Sequence, residues 1–429
     1  HSIAGVESFM ANKNGNGHRP AALETESPQD LRPLIPALGL PEYWYPATQD
    51  RRVGWRKPVY LKMLGQDLCL FRGKSGKVTA VANACPHRGA MLSEGSCTFR
   101  GFLTCFYHGF TFDEHGNCVA AIGEGPKSPM PGKVQARVYP TVILKGMVFV
   151  WMGQGEPVPI EHGVPEEFFD DQAVVCNWSN VWNCNWRPAL ENVADSHFRY
   201  VHRNAVRVLV RPIAPPALPM RSRPARINEH RLRAVGQIES LPAATRAWTG
   251  GQDRAYQDYY PGVNAKWPRT RWRYLWTWFF DRLEKRRFKR PYVLGEEWGV
   301  GQHLPGMFRQ NYWSHVFTRW VVPIDEGRSR VVYFHSMKAS TPAQRLWQRM
   351  LFYGLRNWVM NRNFSEQDAK GAIRAYHDTT ENLAPSDIQT VAWRRFILTA
   401  RGLNRPGPAA DEIIPTTDDA VFAGVEGRN

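Results

Sequence analysis

The chain has 429 residues, 43% of them hydrophobic and 22% charged, so it is long enough for several domains and able to bury a large core. This composition excludes a mainly disordered chain, and no stretch approaches the roughly 20 consecutive apolar residues of a membrane-spanning helix. The 55 Lys and Arg residues against 39 Asp and Glu residues give a net charge of +16, which suits an acidic protein partner, a nucleic acid or an anionic surface.

The N-terminal part of the chain predicts a polar arm followed by short strands. Residues 1–38 are rich in Gly, Asn and Pro, which is typical of a mobile arm. Strands are predicted over Val59–Met63, Asp67–Arg72 and Lys77–Ala82, with glycine turns between them. Similar short strands follow, so we predict a small all-β domain over residues 39–155.

The second half of the chain predicts an antiparallel sheet with helices, over residues 156–400, followed by a tail over residues 401–429. The overall expectation is therefore an α+β protein with an N-terminal all-β domain. The strand candidates are Leu232–Glu239, Trp272–Phe280, Trp313–Val322 and Arg330–Met337, with a turn over Pro323–Gly327 between the last two.

A helix start is predicted at Thr341, which is an N-cap followed by Pro342 and by the capping-box residue Gln344. A helix that begins there directs an apolar stripe at the core. The stripe consists of Leu346, Met350, Leu351, Leu355, Trp358 and Val359.

Two short segments of the β domain each pair one cysteine with one histidine. They are Cys85-Pro86-His87 and Cys105-Phe106-Tyr107-His108, and each is followed by a glycine that lets the backbone turn tightly. A [2Fe–2S] cluster of the Rieske type needs two thiolates on one iron and two neutral histidines on the other. A structural zinc site is the alternative, although zinc-finger spacing places the cysteines together and the histidines together. The alternating order favours the iron–sulfur cluster.

A second group of candidate metal ligands lies in a segment with helical spacing, Asn185–His202. It contains Asp195, His197 and His202, and two histidines with one carboxylate can hold a ferrous ion that activates dioxygen. The third ligand must come from far away, and Asp368 is the best candidate. On a straight helix the two histidine rings would point about 140° apart, so the helix must bulge or end between them. Two ordinary surface histidines are the alternative.

Three motifs together resemble the catalytic α subunit of Rieske non-heme iron oxygenases, and in particular the carbazole and 2-oxoquinoline oxygenase branch. They are the CPHRG…CFYHGFTF run, the ENVADSHFRYVH segment and the late FSEQD. The segments LGLPEYWYP and SDIQTVAWRRF, together with Cys97 and Cys118, extend the likeness. It covers roughly residues 38–400, with little resemblance over residues 203–320.

The resemblance implies a role for each matching residue. The cluster ligands would be Cys85, His87, Cys105 and His108, and the ligands of one mononuclear Fe(II) would be His197, His202 and Asp368. Asn192 would lie near that iron. Asp195 would bridge a cluster histidine of one subunit to an iron histidine of the next, which implies a homotrimer. The family usually spaces this carboxylate and histidine as Asp-x-x-His, whereas the chain has Asp195-Ser196-His197, so this bridging role is the least secure. Capping of a helix is the alternative role for Asp195.

The implied function is that of a terminal oxygenase in aromatic catabolism. Such a component takes electrons from a ferredoxin or an NAD(P)H-dependent reductase and hydroxylates an aromatic or N-heterocyclic substrate with O2. The sequence shows no Gly-x-Gly-x-x-Gly nucleotide motif, so separate reductase components are expected. Two alternatives remain: an oxidative demethylase or monooxygenase acting on a non-aromatic apolar substrate, and a Rieske electron carrier with a binding module.

The basic residues and the cysteines bear on partners and location. The cluster Arg282–Arg290 is a candidate docking surface for an acidic ferredoxin, with a solvated face as the alternative. No zinc-finger or RNA-binding signature accompanies the charge, so we do not expect nucleic-acid binding. Seven cysteines, an odd number, indicate a reducing compartment and hence a cytoplasmic protein.

Overall fold

The computed structural model describes residues 30–193, 201–202, 205–206, 223–235, 275–280, 282–283, 298–312, 315–383, 387–400 and 402–403. Four antiparallel sheets account for the strands of these residues.

Three small sheets form the N-terminal part of the molecule. Their strand orders are β1-β10-β9, β2-β3-β4-β8 and β5-β6-β7. The strands are β1 Trp44–Gln49, β2 Val59–Met63, β3 Gln66–Arg72, β4 Val78–Ala82, β5 Leu103–Thr104, β6 Phe110–Phe112, β7 Cys118–Ala121, β8 Val138–Tyr139, β9 Thr141–Leu144 and β10 Met147–Trp151.

The predicted strands of this part are confirmed to within one residue. β2 has the predicted bounds, and β3 and β4 each differ by one residue at their first position. The centres of β3 and β4 are apolar runs buried on both faces, because further strands and loops cover each side of their sheet. The turn between β2 and β3 places Gly65 at φ +74°, a left-handed conformation that glycine adopts without strain.

One seven-stranded sheet forms the frame of the second part, in the order β11-β17-β16-β15-β14-β13-β12. Its strands are β11 Ala173–Trp182, β12 Arg223–Asn228, β13 Arg231–Val235, β14 Gly301–His303, β15 Met307–Asn311, β16 Val316–Asp325 and β17 Arg328–Lys338. The α+β expectation is confirmed.

The hairpin between β16 and β17 is tighter than predicted. Pro323 pairs with Ser329 inside the ladder, and only Glu326 and Gly327 form the turn. The turn expected over Pro323–Gly327 is therefore wrong in its extent. Proline has no N–H to donate to the ladder and is tolerated here because the pairing shifts register between Pro323 and Asp325, as at a β-bulge.

The helices of the described residues are short, apart from one long helical run near the C-terminal end. They include α1 Trp186–Glu191, α2 Pro342–Leu351, α3 Ser365–Arg374 and α4 Ile388–Leu398. Residues Phe352–Phe364 join α2 to α3 with wider, i to i+5 turns, and we call them the wide segment. The predicted capping box at the start of α2 is confirmed: Gln344 N–H donates to the Thr341 hydroxyl at 3.2 Å, and the Gln344 side chain accepts from the Thr341 N–H.

The predicted core stripe of this run is only partly correct. Leu351, Leu355 and Val359 are buried, whereas Leu346 and Met350 are 59% and 53% exposed. Leu346 and Met350 lie in α2 before the wide segment, on the side of that helix opposite its buried residues Gln348 and Leu351.

The strand expected over Trp272–Phe280 is wrong, because residues 275–280 are helical. Its large side chains are mostly on the surface, with Leu275 at 61% and Phe279 at 50% exposed. A short continuous apolar run fits a strand or a helix equally well by periodicity, which explains the error.

The two parts of the molecule share one hydrophobic core. Trp44 and Trp151 of the small sheets belong to the same buried cluster as Trp320 of β16. Of the predicted mobile arm, residues 1–29 lie outside the described residues and residues 30–38 pack against the body. There Ile35 is buried, and the Arg32 guanidinium donates to the carbonyl of His377 at 3.0 Å.

Candidate metal centres

Two loops of identical backbone construction carry the predicted cluster ligands. We call them the Cys85 arm and the Cys105 arm. In each arm the cysteine N–H donates to the carbonyl five positions later, and the glycine four positions after the cysteine donates back to the cysteine carbonyl. These distances are 2.8 and 2.7 Å in the Cys85 arm and 2.8 and 3.1 Å in the Cys105 arm. Gly89 and Gly109 close the arms at φ +77° and +70°.

In the two arms, the cysteine of one lies near the cysteine of the other, and the histidine of one lies near the histidine of the other. The thiols of Cys85 and Cys105 lie close enough for each to affect the other electrostatically, and both cysteines are buried. The imidazoles of His87 and His108 lie edge to face with their centroids 4.8 Å apart, and both are only half-buried. A pair of thiols inside and a pair of imidazoles outside fits a two-iron cluster in which each iron has its own ligand type.

The buried position of Cys85 affects the protonation of its thiol. Burial raises the pKa of the Cys85 thiol to about 11, against smaller lowering effects from the N–H groups of His87 and Arg88. The thiol therefore stays protonated at neutral pH until a metal displaces the proton. The ring of His87 stacks on Phe110 with centroids 4.3 Å apart, which fixes its orientation.

The second candidate centre brings together two residues that are 166 positions apart in the chain. Nε2 of His202 lies 2.8 Å from Oδ1 of Asp368, and both side chains are less than one-tenth exposed. The His202 ring stacks on Phe364 with centroids 3.7 Å apart, and its Nδ1 lies 3.3 Å from Oε1 of Gln367. These contacts turn Nε2 toward the carboxylate, so the imidazole and the acid present their donor atoms to the same point.

Arg319 of β16 links this pair to Asn192. Its Nη1 lies 3.4 Å from Oδ2 of Asp368 and 3.4 Å from Oδ1 of Asn192. Its Nη2 donates to the carbonyl of Ala189 in α1 at 2.6 Å. The sequence interpretation missed Arg319, although a charge inside the apolar run VFTRWVV signals a buried partner.

Two of the predicted site residues, Asp195 and His197, lie outside the described residues. Among the residues that are described, no three His, Cys, Asp or Glu side chains form a group placed to hold one metal ion. The predicted ligand set His197, His202 and Asp368 therefore stays a prediction that depends on His197.

The histidines of the large sheet have structural contacts. Nε2 of His303 lies 2.9 Å from the carbonyl of Gly299, and burial holds the pKa of His303 well below its usual value. Nε2 of His335 lies 3.1 Å from Oδ1 of Asn361, and its ring stacks on His315 at 4.9 Å. These contacts give the histidines of the large sheet a structural role.

Comparison with known families identifies both parts of the chain. Residues 43–136 match the Rieske [2Fe-2S] domain, and residues 151–243 match the family described as homotrimeric ring hydroxylase. The matches confirm the resemblance to Rieske non-heme iron oxygenases, and with it the expected [2Fe–2S] cluster and mononuclear iron.

Similar proteins of known activity are oxygenase components. The chain is 31% identical over 172 residues to the terminal oxygenase component of carbazole 1,9a-dioxygenase from Metapseudomonas resinovorans, an alignment that covers 40% of this chain and 44% of that protein. It is 33% identical over 175 residues to 4beta-methylsterol monooxygenase from Methylococcus capsulatus, covering 38% and 44%. The chain thus spans less than half the length of these curated relatives.

Solved structures share the fold over most of the chain. The terminal oxygenase of carbazole 1,9a-dioxygenase from Novosphingobium sp. KA1 has a TM-score of 0.66 at 22% identity, and the alignment covers 87% of this chain and 96% of that one. The corresponding protein from Nocardioides aromaticivorans IC177 has a TM-score of 0.62 at 24% identity, covering 86% and 96%. Within the described residues, no helix has the length and apolar character needed to cross a membrane.

Proposed function

We propose that this chain, which joins a Rieske domain to a ring-hydroxylase domain, is the terminal oxygenase component of a multicomponent system. It hydroxylates an aromatic or N-heterocyclic substrate with O2 and with electrons from a ferredoxin or an NAD(P)H-dependent reductase. The carrying observation is the buried contact between Nε2 of His202 and Oδ1 of Asp368, at a centre separate from the Cys85 and Cys105 arms. An electron carrier has no use for such a second centre.

The residues of the two arms would hold the [2Fe–2S] cluster, Cys85 and Cys105 on one iron and His87 and His108 on the other. A bound cluster supplies single electrons, and a bound ferrous ion supplies dioxygen activation. The half-buried imidazoles would leave the histidine side of the cluster closest to solvent, which suits electron exchange with another protein. The aromatic side chain of Tyr107, 57% exposed, packs on His108 with centroids 3.9 Å apart at this edge.

His202 and Asp368 would hold the mononuclear Fe(II) together with His197. Two imidazoles and one carboxylate on one side of a metal leave the opposite positions open for oxygen and substrate. Phe364 covers one face of the His202 ring and limits access of water to that face. Asn192 would lie next to this centre through its contact with Arg319, and Asp195 would bridge to a neighbouring subunit in a homotrimer.

The proposed partners and location follow from charge and from the similar proteins. The net charge of +16 favours an acidic ferredoxin, and one solved structure with the same fold is a complex between oxygenase and ferredoxin. The basic cluster Arg282–Arg290 remains the candidate docking surface. We place the protein in the cytoplasm, a reducing compartment compatible with its seven free cysteines.

A second candidate function is oxidative demethylation or monooxygenation of an apolar substrate. It is favoured by the similarity to 4beta-methylsterol monooxygenase and by 33% identity over 166 residues to the oxygenase component of dicamba O-demethylase. Oxygen uptake by the purified protein with a surrogate reductase would separate the two functions when it is measured across heteroaromatic and methoxylated compounds. Formation of formaldehyde would identify demethylation.

Iron content tests the class of function. The full chain is expected to contain three irons, and Asp368→Ala is expected to contain two while retaining the visible spectrum of the cluster. Glu366→Ala is the matched control, because Glu366 lies on the same helix but is exposed. Two irons in the unaltered chain would favour the electron carrier. Full occupancy and turnover in Asp368→Ala would remove the basis of the proposal.

A further inference from the structure

A buried arginine contacts the candidate mononuclear centre from the sheet side. Arg319 is 1% exposed, and its guanidinium lies over the ring of Trp182 at 4.3 Å. The same guanidinium reaches Oδ2 of Asp368 and Oδ1 of Asn192, and it donates to Ala189 in α1. A guanidinium keeps its proton in proteins, so Arg319 places a permanent positive charge beside a proposed metal ligand.

This charge has a cost that only an opposite charge offsets. A buried cation without a counter-charge strongly destabilises the folded state. Asp368 supplies a carboxylate in contact with Arg319, and its side chain is 8% exposed. Before a metal binds, Arg319 and Asp368 therefore balance one another. When a divalent cation binds to Oδ1, it approaches a charge of its own sign.

The orientation of the donor atoms does not depend on Arg319 alone. Phe364 and Gln367 fix the ring of His202, and Nε2 of His202 contacts Oδ1 of Asp368 directly. A lost orienting contact usually weakens metal binding, whereas a lost repulsive charge strengthens it. Other residues already orient the donor atoms here. The charge of Arg319 therefore decides whether its removal strengthens or weakens metal binding, and we expect removal to strengthen it.

We infer that Arg319 is a positioning residue that acts as an internal counter-ion to Asp368. It keeps the metal-free site assembled, and it lowers the affinity of the site for the metal. The inference rests on the proposed function, since it takes Asp368 as a ligand of the mononuclear iron.

The test compares Arg319→Met with the unaltered holoprotein. The mononuclear ion is removed by mild chelation that leaves the cluster spectrum intact, and Fe(II) is then titrated back without oxygen. Arg319→Met is expected to bind Fe(II) about tenfold more tightly or better, because the repulsion between a unit charge and a nearby divalent ion, at an effective dielectric constant of about 20, exceeds the roughly 2.3 RT that a tenfold change requires. By linkage, its melting temperature should fall more in the metal-free form than in the loaded form.

Two further variants separate charge from general damage to the fold. Arg319→Lys keeps a cation and should return the Fe(II) dissociation constant and the gap between the two melting temperatures toward those of the unaltered chain. Arg309→Met is the matched control: Arg309 of β15 is also fully buried, and it pairs with buried Glu167 at 2.8 Å. This control should lower both melting temperatures alike and leave the dissociation constant unchanged.

Weaker or unchanged Fe(II) binding by Arg319→Met, with parallel losses in both melting temperatures, would show that Arg319 is only structural. If the methionine variant does not fold, Arg319→Gln gives the same comparison, since it also removes the positive charge and keeps a polar side chain. An unaltered chain that takes up no iron beyond the cluster would refute the proposed function itself, which is a different outcome from a failure of the counter-ion.

Discussion

The two glycines that close the cluster arms offer a matched pair of substitutions. Gly89 and Gly109 have nearly the same backbone conformation, with φ +77° and +70°. Their surroundings differ. A Cβ added at Gly89 meets no heavy atom within 4 Å, whereas a Cβ added at Gly109 lies 2.8 Å from Cβ of Ile122 and 3.5 Å from the backbone N of Gly123.

This difference sets how much stability each glycine-to-alanine substitution should cost. The left-handed conformation costs a residue with a Cβ about 1–2 kcal/mol in either arm. A smaller entropy of the unfolded chain offsets about 0.4–1 kcal/mol of that cost, again in both. Only Gly109→Ala adds an overpacking cost, about 1–3 kcal/mol, because Cβ of Ile122 is bonded to the backbone and does not rotate away. Gly109→Ala should thus be about 1–3 kcal/mol less stable than Gly89→Ala.

Unfolding in urea, followed by far-UV circular dichroism and by the visible absorption of the cluster, measures this difference. The change Ile122→Gly removes the offending Cβ and should relieve most of the penalty of Gly109→Ala, when the double variant is compared with Ile122→Gly alone. Equal urea midpoints for Gly89→Ala and Gly109→Ala would refute the packing argument. So would a double variant without any relief.

Three further predictions concern stability away from the metal centres. Thr341→Ala removes the N-cap of α2 and should cost about 1 kcal/mol in the free energy of unfolding, measured in urea. Glu167→Gln leaves the charge of Arg309 unbalanced where both side chains are fully buried, so it should cost about 3–5 kcal/mol, and adding Arg309→Met should recover part of this loss. Burial alone would raise the pKa of Glu381, but the hydrogen bond and charge of Arg394, 2.8 Å away, lower it on balance from its ordinary value of 4.5. The unfolded chain then binds the proton more readily, so this stabilisation should be complete above pH 4.5 and disappear as the pH falls through the lowered pKa of Glu381. Glu381→Gln should flatten that part of the pH profile of thermal unfolding. An unchanged profile would contradict the assignment.

Local sequence signals predicted the local structure well. The arms around Cys85 and Cys105, the strand Val59–Met63 and the capping box at Thr341 each depend on residues within a few positions of one another, and the structure has all of them. The wrong strand at Trp272–Phe280 also came from a local signal. A run of aromatic residues contains no period that separates a strand from a helix.

Long-range chemistry was only partly predictable. The sequence predicts Asp368 as the distant carboxylate ligand because it begins a helical stretch just after the capped helix, and the structure has it in contact with His202. Arg319 was missed, because no local pattern states which partner a buried arginine will have. Its position in β16, between the strands that flank it in the sheet, is what directs it at α1 and α3.

The wide segment explains why Asp368 faces the site at all. Asp368 follows the buried residue Leu351 by 17 positions, and a regular α-helix, at ~100° per residue, would leave it roughly 100° away from the buried face. The wider turns of Phe352–Phe364 use more residues per turn, so the inward face shifts to Phe364 and then to Asp368. Phe364 covers His202 and Asp368 meets its Nε2, one turn apart on this shifted face. One departure from regular helix geometry thus brings the acid to the candidate metal centre, whereas Met350 is exposed within the regular helix α2, before the wide segment begins.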